Sequence, residues 1–164
     1  MKTYKLNDLN NPLISVLMPA YNAEKYIKEA IESILNQTFS NFEFIIIDDG
    51  SIDATEEIIK SFKDSRIVYI KNEKNLGLIK TLNKGISIAR GEFIARMDSD
   101  DISMPQRFEL QLDVFKKYKG VDIVNVALKK MSEDGTKLSK YRHNIYPGFE
   151  AIHYLINIDT FIVH

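Results

Sequence analysis

The feature that most constrains this sequence is an alternation. Short, almost wholly apolar runs, each halted by a polar turn, are separated by segments with helical spacing. Leu13 to Met18 is an apolar run ending at Pro19, which the pattern predicts as a buried strand. From Ala23 to Gln37 the apolar residues Tyr26, Ile27, Ala30, Ile31, Ile34 and Leu35 recur on one helical face. Phe42 to Ile47 is a second strand, stopped by Asp48-Asp49-Gly50-Ser51. Asp53 suits the N-cap of a helix over Ala54 to Phe62, with Glu56 three residues on completing a capping box. Arg66 to Ile70 is a third strand, and the loop Lys71 to Gly77 leads into a helix through Ala89, with Gly91 as a candidate C-cap. Glu92 to Met97 is a fourth strand, stopped by Asp98-Ser99-Asp100-Asp101, after which Pro105 opens a helix to about Tyr118.

Strands alternating with helices through mostly short connections predict an α/β fold, a mainly parallel sheet covered on both faces. Beyond Val121 the rhythm changes. Val121 to Met131, a turn at Glu133-Asp134-Gly135-Thr136 and Lys137 to Tyr141 predict a β-hairpin. Pro147 to about Ile156 reads as a further helix and Thr160 to His164 as the start of a strand. A domain seldom stops at an unpaired apolar strand, so the expectation is the front part of a longer protein: an N-terminal extension over residues 1–12, then a ligand-binding domain over 13–164 that is truncated at its C-terminal end, where the family resemblance given below implies a missing acceptor part.

Global properties exclude several classes. Twenty-two basic and 23 acidic residues leave a net charge of −1, so nothing global attracts nucleic acid. There is no Cys, which removes disulfides and thiolate metal sites. No run approaches the ~18 apolar residues of a membrane helix, and Met1 to Asn11 lacks the apolar stretch of a signal peptide. The expectation is a soluble cytoplasmic protein, with peripheral association at the inner face of a membrane left open. His143, His153 and His164 show no metal spacing.

In an open parallel sheet, ligands bind at the carboxyl ends of the strands. Three such ends carry unusual residues: Pro19-Ala20-Tyr21-Asn22, Asp48-Asp49-Gly50-Ser51 and Asp98-Ser99-Asp100-Asp101. Clustered carboxylates repel each other unless a cation is present, and an Asp-x-Asp turn suits Mg²⁺ or Mn²⁺ with positions left for phosphate. The plainer alternative is a solvated acidic loop with Asp101 or Ser103 capping the next helix. Of Asp48 and Asp49, one suits a base or ribose and either suits the turn, where Gly50 supplies positive φ. Tyr21 suits stacking on a planar base, or packing on the helix that follows. Lys80 and Asn83 lie on the helix after Asn75-Leu76-Gly77, where Lys80 is either a phosphate contact or a solvated helix lysine.

Taken in order, Pro19-Ala20-Tyr21-Asn22, Leu35-Asn36-Gln37-Thr38-Phe39, Asp48-Asp49-Gly50-Ser51, Asn75-Leu76-Gly77, Ala89-Arg90-Gly91-Glu92 and Met97-Asp98-Ser99-Asp100-Asp101 resemble family 2 glycosyltransferases over about residues 13 to 115. The resemblance implies a GT-A fold, Rossmann-like. It implies a nucleoside-diphosphate-sugar donor, usually a UDP-sugar, and Mn²⁺ or Mg²⁺. It implies a donor pocket lined by Pro19, Ala20, Tyr21 and Asn22, with Asp49 on the base, Asp98 and Ser99 near ribose and diphosphate, Lys80 as a further donor contact, and Asp100 with Asp98 as metal ligands. In that family an Asp or Glu deprotonates a saccharide or glycolipid acceptor and the anomeric centre inverts. The family's base lies in a Glu-Asp-type motif well downstream of the second acidic cluster, after a His-Pro-type segment; no matching base is present in this sequence, so no catalytic base is assigned. The runner-up is a non-catalytic nucleotide-binding module. A receiver wants its acids after the first and third strands, a nucleotidyltransferase a Gly-rich loop after the first, and a dinucleotide fold a Gly-x-Gly-x-x-Gly; none is present.

Overall fold

The computed structural model describes residues 11–125, 129–131 and 138–140. Its elements are β1 (Ile14–Ala20), α1 (Ile27–Leu35), β2 (Phe42–Asp48), α2 (Thr55–Ser61), β3 (Ile67–Lys71), α3 (Leu78–Ile88), β4 (Phe93–Arg96), α4 (Arg107–Lys117), β5 (Lys129–Met131) and β6 (Leu138–Lys140). The first four strands form one parallel sheet in the order β3-β2-β1-β4, and β5 pairs antiparallel with β6. The strand–helix alternation agrees with the sequence pattern; of the expected hairpin, Lys129–Met131 and Leu138–Lys140 pair as strands, but Val121 to Asn125 belong to no strand. The expected residues 1–10 of the N-terminal extension, the turn at Glu133 to Thr136, the helix from Pro147, the strand from Thr160 and the three His lie outside the described residues.

The two-residue period of the strands divides the core. Ile14, Val16, Met18, Phe42, Phe44 and Ile46 face one side, where Ala30, Ile31 and Ile34 of α1, Ile59 of α2 and Phe108 and Leu112 of α4 cover them. Leu17, Ile45 and Ile47 face the other, against Leu82 of α3 and Ala89. β2 is buried at every position and β1 at all but Pro19, which is why both read as continuous apolar runs rather than alternating ones. Each fully buried Ile contributes ~1.5–3 kcal/mol of transfer free energy.

Four local expectations change. β1 does not stop at Pro19 but runs through it to Ala20. Odd residues of β1 turn their backbone groups toward β4, as the bond from Met97 N–H to the Leu17 carbonyl shows. The last β1–β4 pair is Leu17 with Arg96, so the N–H that Pro19 lacks would face a place the ladder has already left. At α2 the capping box does not form. Asp53 Oδ1 does accept the Thr55 N–H at 3.0 Å, but Glu56 pairs with Lys60 and Lys71 instead of reaching back. Pro105 precedes α4 by a turn rather than opening it. Gly91 is not a helix cap. It is required by crowding, since a Cβ there would lie 2.4 Å from Ser15 N and 2.6 Å from Ile14 C.

That crowding belongs to a polar clamp at the foot of the sheet. Ser15 and Glu43 are register partners, and Ser15 Oγ donates to Glu43 at 2.6 Å. Arg90 donates its backbone N–H at 2.7 Å and its Nε at 2.9 Å to the same carboxylate, while Gly91 N–H donates to Ser15 Oγ at 2.8 Å. The segment Ala89-Arg90-Gly91-Glu92 therefore seats β4 against β1.

Candidate functional site

From β1 the chain steps out to β2 and β3, then returns to place β4 on the other side of β1. The strand order reverses there, and at such a switch point the connections after two neighbouring strands diverge and leave a crevice. A cavity of about 330 Å³ occupies this crevice, lined by Pro19, Ala20, Tyr21, Asp49, Asn75, Gly77, Leu78, Thr81, Arg96, Asp98, Ser99 and Asp100. That volume suits a small-molecule ligand. A second cavity, about 320 Å³, runs beside β4 between Phe93, Phe108, Leu112, Phe115 and Ile123; it gathers no carboxylate cluster.

Of the residues expected at the site, Pro19, Ala20, Tyr21, Asp49, Asp98, Ser99 and Asp100 converge on the cavity. Asn22 and Lys80 do not line it. Asn22 has a positive φ of 49° and ties two strand ends together. Its Oδ1 accepts the Ile52 N–H at 3.0 Å, and its own N–H donates to Ser51 Oγ at 3.0 Å. Lys80 is exposed on α3. Tyr21 is 47% exposed, so its ring is not spent on core packing.

The two acids at the end of β2 divide their work. Asp48 is fully buried. Its Oδ1 accepts the Ser51 N–H at 2.8 Å and its Oδ2 the Tyr69 hydroxyl at 3.2 Å, so it holds the turn that Gly50 makes with φ of 78°. Asp49 borders the cavity. Its Oδ1 accepts Asn72 Nδ2 at 2.8 Å and the Leu76 N–H at 2.9 Å, and its Oδ2 accepts the Gly77 N–H at 2.9 Å. Burial alone would raise the Asp49 carboxyl. The bonds from Leu76, Asn72, Thr81 and Gly77 outweigh it and hold the carboxyl below its ordinary range. The Asn75-Leu76-Gly77 segment is thus wrapped around Asp49.

At the end of β4, Arg96 forks onto Asp98. Nε donates to Oδ1 and Nη2 to Oδ2, both at 3.1 Å. Asp101 does not line the cavity, and its buried Oδ2 has no hydrogen-bond partner. Burial, then the charges of Asp100 and Asp98, push its carboxyl up to about 7 against the pull of Arg107 and Arg96. Arg107 is 2% exposed and donates to the Arg96 carbonyl at 2.9 Å, which pins the strand end from behind. Neither Asp101 nor Ser103 caps α4; Ser103 Oγ instead accepts from Gln37 Nε2 at 3.2 Å.

Among the described residues, no group of three His, Cys, Asp or Glu could hold a metal ion unaided. A site completed by ligand phosphates needs only one or two carboxylates. Asp98 and Asp100 on one cavity wall fit that requirement. Arg96, Asn75, Gly77, Leu78 and Thr81 also line the cavity, beyond the site residues that the sequence points to individually. For Arg96 a signal existed: a lone cation in an apolar strand, two residues before an Asp, shares that residue's face.

The sequence matches the model of the family described as Glycosyl transferase family 2 over residues 15–164. An uncharacterized glycosyltransferase of Methanocaldococcus jannaschii is 42% identical over 145 residues, 86% of this chain and 50% of that protein. The Escherichia coli UDP-Glc:alpha-D-GlcNAc-diphosphoundecaprenol beta-1,3-glucosyltransferase WfgD is 37% identical over 123 residues, 71% of this chain and 49% of that one. Among solved structures, S. aureus TarS 1-349 in complex with UDP-GlcNAc is similar with a TM-score of 0.61 and 27% identity, covering 71% of this chain and 38% of its own. The chain spans about half the length of these two curated relatives. The parallel sheet flanked by helices is the GT-A arrangement of the structural neighbours.

Proposed function

This chain belongs to glycosyl transferase family 2, and we propose that its switch-point cavity binds a nucleoside-diphosphate-sugar, a UDP-sugar first among them. The observation that carries the proposal is the convergence of Tyr21, Asp49, Asp98, Ser99 and Asp100 from three strand ends on one cavity. Their chemistry divides along its length. Tyr21 offers an exposed ring for a planar base beside Pro19 and Ala20, and Asp49 offers an acceptor for a base N–H. Ser99 and Asp98 suit ribose hydroxyls and the approach to the diphosphate. The UDP-GlcNAc complex of TarS, at 27% identity, supports a uridine nucleotide over others.

Asp100, with Asp98 beside it, would hold Mn²⁺ or Mg²⁺ against the diphosphate. Such an ion supplies Lewis-acid stabilisation of the departing diphosphate. The protein's reaction on this reading is direct displacement at the anomeric carbon with inversion, the acceptor hydroxyl losing its proton to a carboxylate base. None of the described carboxylates is given that role. The acceptor is a saccharide or a lipid-linked saccharide, the latter supported by the acceptor in the name of WfgD. A lipid-linked acceptor would bring the protein to the cytoplasmic face of a membrane; among the described residues no helix is long and apolar enough to cross one.

Calorimetric titration of UDP into the chain, with Mn²⁺ and then with chelator, tests the donor site. Binding that strengthens with Mn²⁺ is the expected result. Absence of binding in both conditions would overturn the donor assignment.

A further inference from the structure

Arg96 is the one cation among the residues that line the candidate donor cavity, facing Asp49, Asp98 and Asp100. An anionic diphosphate entering past three carboxylates is repelled unless positive charge meets it, and a single guanidinium is the chain's own supply of that charge at this place. Its geometry is fixed from two sides. The Arg96 carbonyl is held by the buried Arg107 at 2.9 Å. The guanidinium is held by Asp98, with Nη2 also 2.9 Å from Oδ1. That fork uses Nε and Nη2, and a guanidinium has five N–H donors, so Nη1 remains uncommitted among the described residues. The Arg96 side chain is one-third exposed, open enough to meet a ligand.

We propose that Arg96 binds the diphosphate of the donor directly, and that Asp98 is the residue that aims it. This rests on the donor-site reading above and adds a residue and a role to it. An aimed guanidinium loses little rotational freedom on meeting phosphate oxygens, and it presents two parallel donors where an ammonium presents a point charge. Asp98 can serve Arg96 and still lie beside a cation, because a carboxylate offers about four lone-pair sites. Arg96 thus gives the site an affinity for diphosphate that exists before any cation arrives.

The test compares UDP with uridine in chelator, using the full chain and the variants Arg96→Gln, Arg96→Lys and Asp98→Asn. Wild type is expected to prefer UDP over uridine by about tenfold, the scale of one hydrogen bond between charged groups. Arg96→Gln removes that preference and leaves uridine affinity unchanged. Arg96→Lys keeps part of it, and Asp98→Asn weakens it without abolishing it. An Arg96→Gln protein that still prefers UDP overturns the proposal. If that variant also loses uridine, the Lys variant decides, and complete loss of the preference there overturns it too. Wild type binding uridine and UDP equally in chelator, yet UDP more tightly with Mn²⁺, would sink the role of Arg96 and leave the donor site standing. Wild type binding neither ligand in either condition would sink both.

Discussion

Gln37 caps a helix from 71 positions away: its Oε1 accepts the N–H of Phe108, the second residue of α4, at 3.2 Å. Its Nε2 donates to the Met104 carbonyl at 2.7 Å and to Ser103 Oγ at 3.2 Å, and the neighbouring Thr38 N–H donates to the Pro105 carbonyl at 2.9 Å. α4 has no side-chain cap of its own, so its first orphan N–H depends on this residue. The acidic turn between β4 and α4 is consequently held at its far end by the loop after α1.

Gln37→Met keeps the volume and removes the acceptor and the donor. The buried groups left behind cost ~1–3 kcal/mol, readable as a lower urea midpoint at an unchanged slope. Because α4 then frays at the end that anchors the acidic turn, metal-dependent UDP binding should weaken as well. An unchanged midpoint would show that water replaces Gln37 at no cost.

The order of elements was legible because each apolar run matches a strand or helix period and each run ends in a turn. What escaped depends on contacts between distant segments. The order β3-β2-β1-β4 is invisible to local periodicity, and so is the trans cap from Gln37. Gly91 looks like a helix stop in sequence and is a close-packing position in space, because Ser15 lies against it. Glu56 looks like half of a capping box until the neighbouring strand delivers Lys71. For the site, strand-end position narrows the choice to three short segments without deciding between Asp48 and Asp49; the family resemblance singles out Asp49 and Asp100, whereas Lys80 lies outside the cavity because its helix turns it to solvent.

Gly91→Ala places a methyl group 2.4 Å from Ser15 N and 2.6 Å from Ile14 C. Both are backbone atoms of a central strand and cannot rotate away. Overpacking of this kind costs ~1–3 kcal/mol or more, and thermal unfolding should reveal it as a clearly lowered midpoint. A substitution that leaves the midpoint unmoved would mean that β1 and β4 can separate locally without loss.

The clamp at Glu43 gives the fold an acid limit. Burial alone would raise this carboxyl; hydrogen bonds from Ser15 and from the Arg90 backbone and side chain, with the charge of Arg90, outweigh it and keep it below its ordinary range. A carboxyl whose folded value lies below its unfolded value stabilises the fold fully above the unfolded value, ~4.3 for Glu. That contribution is lost as pH falls through the folded value. Urea midpoints measured from pH 7 downward should therefore drop below about pH 4.3, and Glu43→Gln should flatten the drop while lowering stability at pH 7. Identical pH profiles for the two proteins would remove Glu43 from the account.

Asp100 is exposed on the cavity wall, so Asp100→Ala should leave thermal stability in chelator unchanged. Its effect is expected only in the ligand experiment, where the gain in UDP affinity on adding Mn²⁺ disappears. UDP bound as tightly as by wild type in Mn²⁺ would show that the ion is held elsewhere.

On the proposed donor reading, Tyr21 marks the base end of the cavity. Its ring is nearly half exposed, so Tyr21→Ala removes no core contact and the fold should keep its midpoint. Stacking of an aromatic ring on a base is worth ~1–3 kcal/mol, so UDP affinity should fall by about tenfold or more. Uridine, which retains the base and lacks the diphosphate, should lose affinity by the same factor, and the ratio of affinities with and without Mn²⁺ should stay that of wild type. If Tyr21→Ala weakened UDP but spared uridine, the ring would be acting on the diphosphate end of the cavity. If it weakened neither, Tyr21 would be a surface residue beside the site, and the base would have to be recognised through Asp49 and the backbone around Pro19 alone.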